Sequence, residues 1–108
     1  MPTSELLLIA ALLAGAYLIG SIPFSYLVAR ARGVDLRKVG SGNIGGANVW
    51  RACGFGPFVV AVALDILKGY LPTLIGLRLF ASNPIVVLLI GIAAILGHTF
   101  PIYLRFKG

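Results

Sequence analysis

Leu6–Ala29 reads LLLIAALLAGAYLIGSIPFSYLVA, 24 residues without one formal charge. As a helix it extends about 36 Å, enough to cross a hydrocarbon core of about 30 Å. Gly20-Ser21-Ile22-Pro23 interrupts the run near its carboxyl end. Pro23 removes a backbone donor, so a kink is expected there. The preceding Met1-Pro2-Thr3-Ser4-Glu5 lacks the positive region of a cleaved signal peptide, and the apolar run is too long for one. The segment reads as a retained span.

The whole chain agrees with this reading. Of its 108 residues 59% are hydrophobic and 11% charged, where a soluble domain carries about 25% charged residues. The mean hydropathy is +1.02. Nine Lys and Arg against three Asp and Glu give a formal charge of +6. Such basicity fits anionic lipid or a phosphorylated small molecule; in so apolar a chain it argues against nucleic acid. Topology alone accounts for many of these charges. A single cysteine, Cys53, excludes an internal disulfide.

Two further apolar runs follow, about 55–77 and 79–104, after a polar stretch at about 30–54. Ser82-Asn83-Pro84 forms the turn between them, with Pro84 suited to an early helical position. The expected fold is a single all-α integral membrane domain with three transmembrane helices, about 6–29, 55–77 and 79–104. Arg30, Arg32, Arg37, Lys38 and Arg51 crowd the first loop against Asp35, whereas Arg78 stands alone in the second connection. The positive-inside rule then puts the amino terminus outside and the loop at 30–54 in the cytoplasm. The carboxyl end, with Arg105 and Lys107, is expected on that same face.

The stretch richest in chemistry is Gly40-Ser41-Gly42-Asn43-Ile44-Gly45-Gly46-Ala47-Asn48-Val49-Trp50-Arg51. Its four glycines permit positive φ and close approach of a ligand. Exposed successive N–H groups in such a loop make an anion-binding concavity. Ser41, Asn43 and Asn48 add neutral donors, and Arg51 can grip phosphate with paired hydrogen bonds. The pattern favours a phosphate or phosphate-ester site; a solvated connector whose arginines set orientation is the plainer alternative. Gly40-x-Gly42-x-x-Gly45 matches the dinucleotide fingerprint in letters, but no apolar strand precedes it and no βαβ unit fits.

Asp65 and Lys68, three apart, share one face of the second span. Buried singly either charge is costly, so they are expected to pair or face a polar cavity, with a structural pair favoured over a site floor or proton path. His98, in Gly97-His98-Thr99-Phe100-Pro101, reads first as a packing residue and second as a base. No metal site is expected, since no second histidine or thiolate cluster accompanies it. Pro101 is expected to end or kink the helix and deliver Lys107 to headgroup level.

Five motifs now stand in order: Gly20-Ser21-Ile22-Pro23-Phe24, Gly40-Ser41-Gly42-Asn43-Ile44-Gly45, Asn48-Val49-Trp50-Arg51, Leu64-Asp65-Ile66-Leu67-Lys68-Gly69 and Gly97-His98-Thr99-Phe100-Pro101. Their order and spacing, over nearly the whole chain, resemble the bacterial acyl-phosphate:glycerol-3-phosphate acyltransferases of the PlsY type. The resemblance implies an enzyme of the bacterial inner membrane that moves a fatty acyl group from acyl phosphate to the 1-hydroxyl of glycerol 3-phosphate, giving lysophosphatidic acid and phosphate. It implies no cofactor, and membrane lipids as surroundings.

Residue by residue, the resemblance gives Ser41 and Arg51 active-site positions. Gly40, Gly42, Asn43, Gly45 and Asn48 fall in the glycine-rich substrate-binding motif. Lys107 and Gly108 match the start of a basic glycine motif, with Lys107 a second phosphate-binding cation. Acyl phosphate is already activated, so Ser41 is assigned to hydrogen bonding with substrate or oxyanion rather than to attack. His98 is the candidate base. Gly46-Ala47 departs from the family's Ala-Thr and loses a hydroxyl. The family is a seven-helix bundle about twice as long, so this chain is expected to be its amino-terminal half and inactive alone. A non-catalytic membrane subunit, an anion carrier or an inactive fragment are the alternatives; oligomeric state is not legible.

Overall fold

The computed structural model describes residues 2–104. Every regular element among them is helical: α1 (Thr3–Gly20), α2 (Phe24–Ala31), a 3₁₀ turn (Leu36–Lys38), α3 (Gly46–Cys53), α4 (Phe55–Leu79), α5 (Pro84–Thr99) and a second 3₁₀ turn (Ile102–Leu104). Two stretches have the length and apolarity of a membrane span: Thr3–Ala31, 29 residues taken across its break, and α4 with 25. α5 is as apolar but has 16 residues, about 24 Å of helix. The expected kink in the first span is a full break. α1 stops at Gly20, Ser21 donates both its N–H and its hydroxyl to the Tyr17 carbonyl, and α2 restarts after Pro23.

The chain divides into two compact units, with boundaries after Ile22 and after Leu67. In the first, α1 packs against α5 around Ala16, Val86, Ile90 and Ala94. Small residues allow this approach. A Cβ on Gly20 would strike the Ala94 carbonyl, and one on Gly97 would strike the Tyr17 carbonyl and, at 2.8 Å, the Ser21 nitrogen. The helices therefore meet backbone to backbone, the mode favoured where lipid supplies no hydrophobic drive between helices. The Tyr17 hydroxyl donates to the Phe100 carbonyl at 2.7 Å, at the carboxyl end of α5. Asn83 caps its start by accepting from the Val86 N–H, and Pro84 occupies the first turn.

Lys68 is 5% exposed and donates at 3.0 Å to the Ile22 carbonyl, which the α1–α2 break withdraws from the helical ladder. In the second unit Asp65 accepts from the Ser25 hydroxyl at 3.1 Å. The two charges that were expected to seek partners in the span thus both reach polar groups flanking Pro23. α4 carries Pro72 in its interior without ending there, and Thr73 turns its hydroxyl back to the Gly69 carbonyl one turn below.

The second unit has its own core of Ala29, Leu36, Val49 and Ala61, with Val28, Val34, Val39, Ile44, Cys53 and Phe58 around it. Its polar stretch is more ordered than a connector. Leu36 is fully buried inside the 3₁₀ turn, and α3 buries Asn48 and Val49. Gly54, at φ 94°, ends α3 by donating to the Trp50 carbonyl, and α4 begins at the next residue. Elsewhere large apolar side chains face outward, among them Leu7, Ile66, Ile85, Leu88 and Ile95. A surface of that kind suits lipid.

Candidate anion-binding site

The loop between α2 and α3 is tied by one side chain. Asn48, 1% exposed, donates from its Nδ2 to the carbonyls of Leu36 and Val39 at 3.1 Å each and of Asn43 at 2.9 Å. Two hydrogens serve three acceptors, so one bond is shared. The arrangement also fixes the amide's orientation, since the reverse would set its oxygen against three carbonyl oxygens. The Asn48 Oδ1, buried, has no hydrogen-bond partner among the described residues. Such an acceptor costs about 1–3 kcal/mol to bury unmet, which makes it a feature to explain.

Beside it lies a cavity of about 270 Å³ lined by Val34, Val39, Gly40, Asn48, Arg51 and Ala52. Arg51 stands one turn after Asn48 on α3, exposed, with no hydrogen bond or ion pair recorded among the described residues. Gly40 closes the other side. Its φ of 51° is left-handed, and a Cβ there would collide with the Asn48 Oδ1. Glycine is thus required twice at this position, for the turn and for the room. Gly42, at φ 74°, is the other left-handed residue of the motif; Gly45 is extended and caps α3.

The remaining motif residues hold the loop in shape. The Gly42 N–H donates to the Val39 carbonyl, and the Asn43 N–H donates to the exposed Ser41 hydroxyl at 3.3 Å. Two N–H groups that the sequence offered to an anion are therefore engaged inside the loop. Asn48, read from sequence as a neutral donor, gives its Nδ2 hydrogens to carbonyls of the loop itself. Arg37 is engaged as well, to the Asp35 carboxylate at 3.1 Å and the Tyr26 hydroxyl at 3.0 Å, with its guanidinium 5.0 Å from the Tyr26 ring centre. Hydrogen bonding to Arg37 holds the Asp35 carboxyl below its ordinary range. The pair's contribution is thus complete above that range and is lost only as pH falls through the lowered value.

The structure brings Gly40, Asn48 and Arg51 together at the cavity, with Ser41, Gly42, Asn43 and Gly45 in the adjoining loop. His98 is exposed in the last turn of α5 and belongs to the other unit. Lys107 and Gly108 lie outside the described residues. Val34, Val39 and Ala52, the apolar walls, escaped the sequence reading, and so did α3. The available signal was Val49 and Cys53, one helical turn apart, hidden by the glycines before them.

Residues 10–108 match the family described as glycerol-3-phosphate acyltransferase. A glycerol-3-phosphate acyltransferase of Roseiflexus sp. is 59% identical over 93 residues, 86% of this chain and 45% of the relative. One from Aquifex aeolicus is 47% identical, covering 86% of this chain and 48% of the relative. The fold matches crystal structures of PlsY, an integral membrane glycerol 3-phosphate acyltransferase. Its glycerol 3-phosphate form gives a TM-score of 0.87 at 45% identity, covering 93% of this chain and 50% of that one. The lysophosphatidic acid form gives 0.85 at 42%, covering 93% and 49%. This chain spans about half the length of the relatives it matches. It is an all-α integral membrane protein, and it belongs to the glycerol-3-phosphate acyltransferase family.

Proposed function

We propose that the cavity at Asn48 and Arg51 binds glycerol 3-phosphate, as part of a site that acylates its 1-hydroxyl from an acyl phosphate. The observation that carries this is the pairing of a cation with a buried acceptor on one wall. Arg51 offers a fork of donors to a phosphate, and the Asn48 Oδ1 accepts from a hydroxyl. A phosphate ester of a polyol carries both groups, a phosphate and a separate carbon-bound hydroxyl. The solved relative is described in a glycerol 3-phosphate form, which supports the same ligand.

In the reaction the 1-hydroxyl oxygen forms a bond to the acyl carbon while the acyl–phosphate bond breaks. Inorganic phosphate leaves with the bonding pair. Arg51 offsets phosphate charge and fixes the acceptor, and Ser41 hydrogen-bonds substrate or the developing oxyanion. Lys107 supplies a second cation, and His98 is the candidate to take the hydroxyl proton. The loop at 30–54 faces the cytoplasm of a bacterial inner membrane, with the amino terminus outside.

The test is phosphate release from acyl phosphate by a chain of the relatives' full length. It should require glycerol 3-phosphate and fall about 100-fold or more in Arg51→Ala. Undiminished turnover in that variant would remove Arg51 from the site.

A further inference from the structure

α3 has a second face. Trp50 stands two residues after Asn48, about 200° round the helix and so away from the loop that Asn48 ties. It is 51% exposed, and Phe55, the first residue of α4, is 63% exposed. The two rings meet edge to face at 5.5 Å, and Phe58, one turn further along α4, lies 4.5 Å from Trp50 between ring centres. Gly46 brings the start of α3 against Phe58 and Val62, where a Cβ would sit 3.3 Å from the Val62 side chain. α3 is thus laid against the opening turns of a membrane-spanning helix, with an aromatic cluster at the corner.

This outward apolar edge sits at the start of α4 and is next to Arg51 in the chain. Arg30, Arg32 and Lys38 add exposed positive charge in the same unit. Tryptophan combines a large apolar body with one polar N–H and favours the boundary between headgroups and acyl chains, while the basic groups suit anionic headgroups. We infer that the Trp50–Phe55 edge lies in that boundary, anchoring α3 in the plane of the membrane and holding the Arg51 cavity at headgroup level. The inference rests on the span that starts at Phe55 and not on the acyl-transfer reading.

Trp50 is the only tryptophan in the chain, so its fluorescence reports this position without any substitution. The unmodified chain is placed in phosphatidylcholine–phosphatidylglycerol vesicles brominated either near the headgroup end of the acyl chains or near their termini. The expected result is a blue-shifted emission and a greater loss of intensity with the shallow bromines than with the deep ones. A greater loss with the deep bromines would overturn the placement. So would an emission open to aqueous acrylamide but untouched by bromine, or one quenched by neither. The double variant Trp50→Phe with Phe55→Trp moves the reporter to the neighbouring ring and should return the same shallow depth.

Discussion

Gly40 is where the loop's conformation and the cavity's chemistry meet. Alanine there pays first for left-handed φ, about 1–2 kcal/mol, and then displaces the Asn48 amide from three carbonyls. Gly33 supplies the control: its φ is 78°, but a Cβ there has nothing within 4 Å. If the proposed site is right, then in a chain of the relatives' full length Gly40→Ala should raise KM for glycerol 3-phosphate about tenfold or more, whereas Gly33→Ala should cost stability and leave KM alone. Equal KM values in the two would mean that Asn48 is not part of the binding site. The sequence made Gly40 and Arg51 visible, because a plain connector gains nothing from Asn43 and Asn48 set among glycines beside an arginine. It could not show that the loop takes up the Asn48 amide nitrogen, since that depends on carbonyls twelve, nine and five residues away.

At the scale of helices, the α1–α5 contact depends on the absence of side chains. Gly97→Val forces a branched side chain into the Tyr17 carbonyl and the Ser21 nitrogen. A loss of about 1–3 kcal/mol is expected from such overpacking. It should appear as a lower detergent-denaturation midpoint followed by circular dichroism. Gly15→Val is the matched control on α1, as a Cβ at Gly15 meets nothing within 4 Å. If the two variants denature together, the backbone contact is not what holds the helices. The long apolar helices were legible from runs of Leu, Ile and Ala alone. The break after Gly20 was foreshadowed by Pro23, and the start of α5 by Asn83-Pro84. α3 was not, because eight residues opening on Gly46, with Gly45 just before them, show no helical period before the fold supplies one.

For the molecule as a whole, the governing comparison is that the chain spans about half the length of the relatives it matches. The family and its membrane fold could be read from five motifs in order, while the geometry that joins motifs lying far apart in sequence could not. The proposed chemistry calls on Lys107, close to the end of a sequence that covers 45–48% of those relatives. Purified as it stands, the chain should show little or no acyl transfer, measured as glycerol 3-phosphate-dependent phosphate release. Robust turnover would show that the cavity in the second unit suffices.

The meeting of Gly20 with Ala94, and of Gly97 with Tyr17, also sets an order of events during synthesis. At about 5–20 residues per second, the ribosome adds Gly97 some 4 to 15 seconds after Gly20. For an interval of that length α1 is without the partner it packs against. A helix that must wait needs enough apolarity to stay inserted alone, and α1, with Glu5 its only charged residue, has it. Gly20 serves an appointment that the leucines of α1 keep possible.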